Sequence, residues 1–210
     1  MDNVWSRPRK APRQTLTLDR IVTEAVALLD EEGVSRLTMR HLAERLDTGS
    51  TTLYWHVRTK DDVLDLSLDA VFGEVRLPEP AGDWREPARA LMRGWRAALL
   101  RHPWSATILD RPLLGPNALR RTEFLYETLA AAGFTTPKTA AHSLSNYLMG
   151  SVIMQVTWQH NDADAFLRER APDYPALAEH GLEHPWDTTF EEGLAYLLEG
   201  MEAARKRETT

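Results

Sequence analysis

The chain has 210 residues, 43% of them hydrophobic and 27% charged, an ordinary globular composition that excludes general disorder. It contains no cysteine, which removes disulfides, thiolate zinc sites, iron–sulfur clusters and cysteine nucleophiles together, and no apolar run approaches the roughly 20 residues of a membrane helix. The net charge of −6 is uneven: residues 1–60 carry ten Lys or Arg against eight acids, a net of +2, and the remainder carries −8, so a polyanionic partner suits the head alone.

Residues 1–16 read as a flexible basic arm interrupted by Pro8 and Pro12. They lack the apolar stretch of a secretory signal, so a cytoplasmic protein is expected. From Leu18 the period becomes 3.6, with Leu18, Ile21, Val22, Ala25, Leu28 and Leu29 on one face, Thr17 as N-cap and Gly33 as the stop. A second helix follows Thr38, with Met39, Leu42, Ala43 and Leu46 at i, i+3, i+4 and i+7. Asp47-Thr48-Gly49-Ser50 is a turn by composition. A third helix is predicted from about Thr51 to Val57, anchored by Leu53 and Val57. Thr59 and Asp62 make a capping box for a fourth, carrying Val63 to Phe72. The segment 77–83, with two prolines, is linker-like, and a soft domain boundary is expected near Phe72 to Asp83.

The rest reads as further helices: about 85–101, ended by Pro103; a short one at 104–109; 116–132, stopped by Gly133; and 137–160, which would be about 36 Å long. Val152 to Trp158 has strand-like composition but no partner strand, so it is read as helix. Residues 161–186, acidic and proline-containing, are expected as a loop with a helical turn or two. Thr188 and Glu191 form a second capping box opening a last helix to about Arg205. The fold class is therefore all-α, divided into an arm (1–16), a head (17–72) and a helical body (73–210).

The stretch from Thr38 to Val57 carries the chemistry. Two short helices joined by a tight glycine-containing turn have the length pattern of a helix-turn-helix, whose second helix enters the major groove. Once Leu53 and Val57 are buried, Ser50, Thr51, Thr52, Tyr54, Trp55 and His56 must face largely outward. Hydroxyls can donate to base edges or phosphates, and aromatic faces can meet thymine methyls. The alternative is an aromatic pair packed on the fourth helix. The amphipathic neighbour, the basic arm and Lys60 favour DNA.

Two short motifs are set aside. Asp47-Thr48-Gly49-Ser50 spells the aspartic-protease signature, but those enzymes need two carboxylates on β-rich walls, and here there is one copy between helices. His180-Gly181-Leu182-Glu183-His184 matches an inverted zinc-peptidase pattern. Gly181 within it and Pro185 after it oppose the rigid helix needed to bring two imidazoles to one metal. No metal and no cofactor are expected.

Thr52-Leu53-Tyr54-Trp55-His56-Val57 with Arg58-Thr59-Lys60-Asp61 resembles the recognition helix and following turn of the TetR (tetracycline-repressor-like) family of transcriptional regulators. Leu37 to Leu46 is similar to the family's second helix. The resemblance is dense over residues 18–68 and weaker beyond 84. It implies that Arg40 reaches a guanine edge or a phosphate, that Ser50, Thr51 and Thr52 approach bases, that Tyr54 and Trp55 contact thymine methyls and backbone, and that Thr38, His56 and Lys60 hold phosphates. Asp47 departs from the family pattern, which has glycine at that turn. Leu109 stands near where the family's metal–tetracycline chemistry uses a histidine, so tetracycline itself is not the expected effector.

The body is rich in large side chains, which serve either as plain core or as an apolar effector pocket. For the pocket the candidates are Trp95, Leu99, Trp104, Ile108, Phe124, Asn146, Tyr147, Gly150, Met154 and Trp158. The resemblance further implies a homodimer joined by faces of residues 137–160 and 188–205, with Gly150, Ser151, Phe190, Leu194, Leu197 and Met201 in the interface. The expected whole is a ligand-responsive, non-enzymatic repressor that binds a palindromic double-stranded operator and is released by an apolar or drug-like small molecule. The competing expectation is a helical ligand carrier or enzyme whose first helices are only structural.

Overall fold

A computed structural model describes residues 16–161 and 163–208. The basic arm expected at 1–16 lies outside them except for Leu16. Among the described residues every regular element is helical. In order they are α1 (Leu18–Glu32), α2 (Met39–Arg45), α3 (Ser50–Tyr54), α4 (Lys60–Gly73), α5 (Arg85–Arg101), a 3-10 turn (Pro103–Ile108), α6 (Pro116–Ala131), α7 (Pro137–His160), α8 (Ala163–Arg170), a 3-10 turn (Ala171–Asp173), α9 (Pro175–His180) and α10 (Trp186–Glu208). The chain divides into two compact units, one ending at Leu64 and one beginning at Asp65. The division falls within α4.

The first unit is held by local signals that the sequence carries openly. Thr17 caps α1 by accepting from Arg20 N at 3.2 Å. Thr38 caps α2 by accepting from His41 N at 3.1 Å. α2 ends in a Schellman motif, with Thr48 N donating to Ala43 O at 3.0 Å and Asp47 N to Glu44 O at 3.1 Å. That motif requires a left-handed residue, and Asp47 supplies it with φ 48°. Ile21, Leu28, Leu29, Leu42, Leu53 and Val63 are buried together as the core. Arg45 crosses from α2 to α1, meeting Glu24 at 2.5 Å and pairing with Glu31.

α3 ends at Tyr54 rather than Val57. Its last turn tightens, with Trp55 N donating to Thr52 O and His56 N to Leu53 O, three residues back instead of four. The Thr59–Asp62 capping box forms as expected: Asp62 N donates to the Thr59 hydroxyl at 3.0 Å and Thr59 N to the Asp62 carboxylate at 3.1 Å. The N–H of Arg58 and the Thr59 hydroxyl hold the Asp62 carboxyl below its ordinary pKa.

The second unit is organised around α7, which packs on α5, α6 and α10. Val152 and Val156, four residues apart, are both buried; that helical spacing, against three neighbouring helices, overrides the β-branched composition of the segment. α6 ends in a second Schellman motif, with Phe134 N on Leu129 O at 3.1 Å and Gly133 at φ 86°. Two expectations fail here. Residues 161–186 are not loop but hold α8, a 3-10 turn and α9, the last two starting on Pro-led first turns. α10 begins at Trp186, two residues before the Thr188 capping box, because Thr189 N already bonds Pro185 O at 2.9 Å.

Candidate nucleic-acid interface and cavity

α3 is short, and a single side chain fixes its orientation. Leu53 is fully buried and Val57 nearly so. This leaves Thr51, Thr52, Tyr54, Trp55 and His56 exposed together, with Ser50 half-buried beside them. Trp55 is 84% exposed and Tyr54 49%, which rules out the reading of an aromatic pair packed on the following helix. A tryptophan this open on an otherwise well-buried domain marks a surface built to meet something else. No acid lies on α3 itself, so the surface offers hydroxyls, an imidazole and two aromatic faces without like-charge repulsion toward a polyanion.

The second row of the surface comes from α2. Arg40 has a side chain 87% exposed, and its Nε donates to Glu44 Oε1 at 2.9 Å. That bond, with the Glu44 charge, raises the Arg40 pKa above its ordinary value. Thr38 uses its oxygen as the α2 cap and keeps a hydroxyl hydrogen to donate. Lys60 Nζ donates to Val34 O at 2.7 Å and is part-buried, which uses one of the three N–H donors of its ammonium. It closes the α1–α2 loop onto the start of α4.

None of the ten residues expected to line an effector pocket is among those that line the cavity beside α4. Trp95, Leu99, Trp104 and Ile108 are buried core, and Phe124 is half-buried. Asn146 is exposed. Tyr147 stacks on Phe190 at 5.6 Å, and its hydroxyl donates to Phe190 O at 2.9 Å, a bond between α7 and α10. Gly150 is part-exposed. Met154 and Trp158 border a shallow hollow of about 260 Å³ near the end of α7. Trp158 also donates to Asp164 Oδ1 at 2.7 Å.

A cavity of about 390 Å³ instead opens between α4, residues 111–115 and the start of α6, with Leu66, Leu68, Phe72, Pro112, Leu113 and Leu114 among its apolar walls. Two α4 carboxylates one helical turn apart hold its rim. Asp65 pairs with Arg111 at 2.6 Å. Asp69 accepts from Asn117 N and Ala118 N at 3.3 and 2.9 Å, acting as the N-cap that Gly115 lacks a side chain to provide. Gly115 is needed there, since a Cβ would lie 2.3 Å from the Asp69 carboxylate. The sequence showed these residues only as a helix start and a helix face. The missed signal was the i, i+4 pair of aspartates on α4.

Close to this wall, the buried indole N–H of Trp95 and the hydroxyl of Ser67 have no hydrogen-bond partner among the described residues. Phe72, a cavity residue, meets the Trp95 ring edge-on at 5.4 Å.

Of the expected interface residues, Phe190 and Leu194 are buried within the protomer and are not on an outer face. Gly150, Ser151, Leu197 and Met201 remain part-exposed. Ile153, Met154 and Tyr196 are the exposed large apolar side chains of α7 and α10 among the described residues; of these only Met154 is a residue singled out above, as a pocket candidate. His180 ends α9 in solvent, and His184 stacks on Trp186 at 5.2 Å.

A helix-turn-helix with an open aromatic second helix, preceding a larger helical unit with a cavity, defines a DNA-binding regulator. The comparisons make the class specific. Residues 21–66 match the family described as bacterial regulatory proteins, tetR family, and residues 77–205 match the tetracyclin repressor-like C-terminal domain. An HTH-type transcriptional regulator of Saccharopolyspora erythraea is 50% identical, covering 95% of this chain and 91% of its own. The HTH-type transcriptional repressor DrrR1 of Streptomyces coeruleorubidus is 34% identical, covering 93% and 81%. Apo ActR of Streptomyces coelicolor superposes with a TM-score of 0.82 at 32% identity, covering 93% of this chain and 99% of that one. ActR solved with actinorhodin gives 0.80 at 33%, covering 92% and 97%. The chain belongs to the TetR family and is a helix-turn-helix transcriptional regulator. No helix among the described residues is long and apolar enough to cross a membrane.

Proposed function

We propose that the protein acts in the cytoplasm as a dimeric repressor, reading a palindromic operator with α3 and leaving it when a small apolar effector binds the second unit. The observation that carries the reading is the surface of α3: Trp55 and Tyr54 stand open beside Thr51 and Thr52 while Leu53 beneath them is fully buried. Trp55 and Tyr54 meet thymine methyls and backbone, Ser50, Thr51 and Thr52 approach base edges, and Thr38 and His56 hold phosphates. Two recognition helices of a dimer then read half-sites one helical turn apart.

Two observations support an effector. The cavity beside α4 is mostly apolar with few polar groups, as ligand sites are. ActR, solved with actinorhodin, supports a small molecule as the effector class. Such a ligand releases DNA only by its preference for the non-binding conformation.

The test is selection of bound duplexes from a random pool, followed by fluorescence anisotropy of the winners against salt. The reading requires a recovered palindrome whose log affinity falls steeply with log salt. A pool that returns no enriched sequence would overturn it.

A further inference from the structure

Arg40 and Glu44 lie one turn apart on the exposed face of α2, and the geometry of their contact is one-sided. Glu44 Oε1 takes the Arg40 Nε hydrogen at 2.9 Å. A guanidinium has five N–H donors in a rigid plane. Occupying Nε leaves the two terminal nitrogens as the outward edge of that plane, and this edge presents the parallel donors that match O6 and N7 of guanine. We infer that Glu44 is a positioning residue: its carboxylate holds the Arg40 guanidinium by Nε so that the terminal edge is presented to a guanine before DNA arrives. The inference rests on the reading of α2 and α3 as the DNA-contacting surface.

Three arguments support it. Arg loses substantial rotamer freedom on forming a bidentate contact; the Glu44 bond removes part of that freedom in the unbound protein. The pair is otherwise a poor investment. Both side chains are open, 87% and 62% exposed, and an exposed i, i+4 pair contributes little to stability. A carboxylate on a surface meant for a polyanion also opposes binding unless it serves a partner there. Finally, the other arginine of α2, Arg45, is turned away to Glu24 and Glu31, so Arg40 is the guanidinium of α2 available to the groove.

The experiment compares Glu44→Gln with Glu44→Ala in the full-length protein. Both substitutions remove the negative charge. Only Gln keeps an oxygen at the same reach to accept from Nε. The duplex is the one recovered by selection from the random pool, along with variants in which each G·C pair is changed in turn; affinities are read by anisotropy across salt. Arg40→Ala identifies the dependent pair, with loss of discrimination there of about 5- to 150-fold, the range of a bidentate guanine contact.

At that pair Glu44→Ala is expected to lose about threefold to tenfold of discrimination, as a charge-assisted hydrogen bond would. Glu44→Gln is expected to keep it. Both variants should bind unrelated duplexes more tightly than the parent, by a similar factor, because both lose the same repulsive charge. Thermal unfolding of the two should coincide, which separates positioning from folding. Loss of discrimination in both variants, or in neither, overturns the inference while the wild-type preference for its duplex stands. Absence of any preference in the wild type overturns instead the reading on which it rests.

Discussion

At the scale of the residue, α3 depends on a contrast between adjacent positions. Leu53 is buried and fixes the helix, while Trp55 is open and adds nothing to the core; in the proposed reading it meets the operator. Trp55→Ala is therefore expected to lose about 1–3 kcal/mol of sequence-dependent affinity, measured by anisotropy on the selected duplex. Its unfolding free energy should stay within about 0.5 kcal/mol of the parent, as for other exposed positions. Asp47 is the reverse case, a residue whose importance is conformational. It holds φ 48° at the C′ position of α2, where a non-glycine residue carries roughly 1–2 kcal/mol of strain. Asp47→Gly should raise stability by about 0.5–1 kcal/mol after the added unfolded-state entropy of glycine is subtracted, checked by chemical denaturation. Asp47→Val should lower it.

At the scale of the element, the second unit relies on helices that complete one another. α6 takes its N-cap from Asp69 on α4, so Asp69→Ala should cost about 0.5–2 kcal/mol, as for other cap removals, with the loss seen in denaturant midpoints. On α10, Glu202 accepts from Arg205 and from the Trp84 indole at 2.9 Å. The Arg205 bond first, then the Trp84 bond, hold its carboxyl far below the ordinary glutamate range. A depressed native pKa means the stabilisation is complete above the unfolded glutamate value and disappears as pH falls through the native one. Melting temperatures measured from pH 7 to pH 3 should thus fall more steeply for the parent than for Glu202→Gln. Parallel curves would show that the pair carries no linkage.

The elements themselves were largely legible. α1, α5 and α7 begin and end where Thr17, Pro103 and Thr136-Pro137 mark them, because caps and prolines act within one turn of chain. α8 and α9 were missed because their acidic, proline-containing composition resembles loop. α9 also starts on Pro175, a residue that reads as a breaker in sequence and as a first-turn residue in the fold.

At the scale of the whole molecule, what could be read from sequence depended on how many segments a site needs. The α3 surface is one contiguous stretch, so Leu53 and Val57 at helical spacing sufficed to turn the remaining side chains outward. The cavity needs α4, residues 111–115 and α6 together, and no periodicity within one helix reports that closure. The expected dimer face likewise needs more than one segment. Phe190 and Leu194 form an apolar stripe, but α7 packs on α10 and the stripe is spent within the protomer. The most exposed apolar groups of these two helices are Met154, 61% exposed, and Tyr196, 72% exposed. If association uses this face, Met154→Lys with Tyr196→Glu should shift the species seen by sedimentation toward monomer and lower operator affinity. Unrelated single duplex half-sites should be bound no worse than by the parent. An unchanged sedimentation profile would move the interface elsewhere.

The cap that Asp69 lends to α6 also limits how the protein can be recombined. The proline-rich stretch at 77–83 is the obvious place to join the reading head of one relative to the sensing body of another. A join there would separate Asp69 from the helix it terminates and from Gly115, whose missing side chain makes room for it, unless the donor head happened to bring its own aspartate in register. A graft cut before Asp65 would carry the whole arrangement with the body. The working modules of this protein are thus offset from its apparent linker, and exchange between relatives that respects the offset should yield stable hybrids where exchange at the prolines does not.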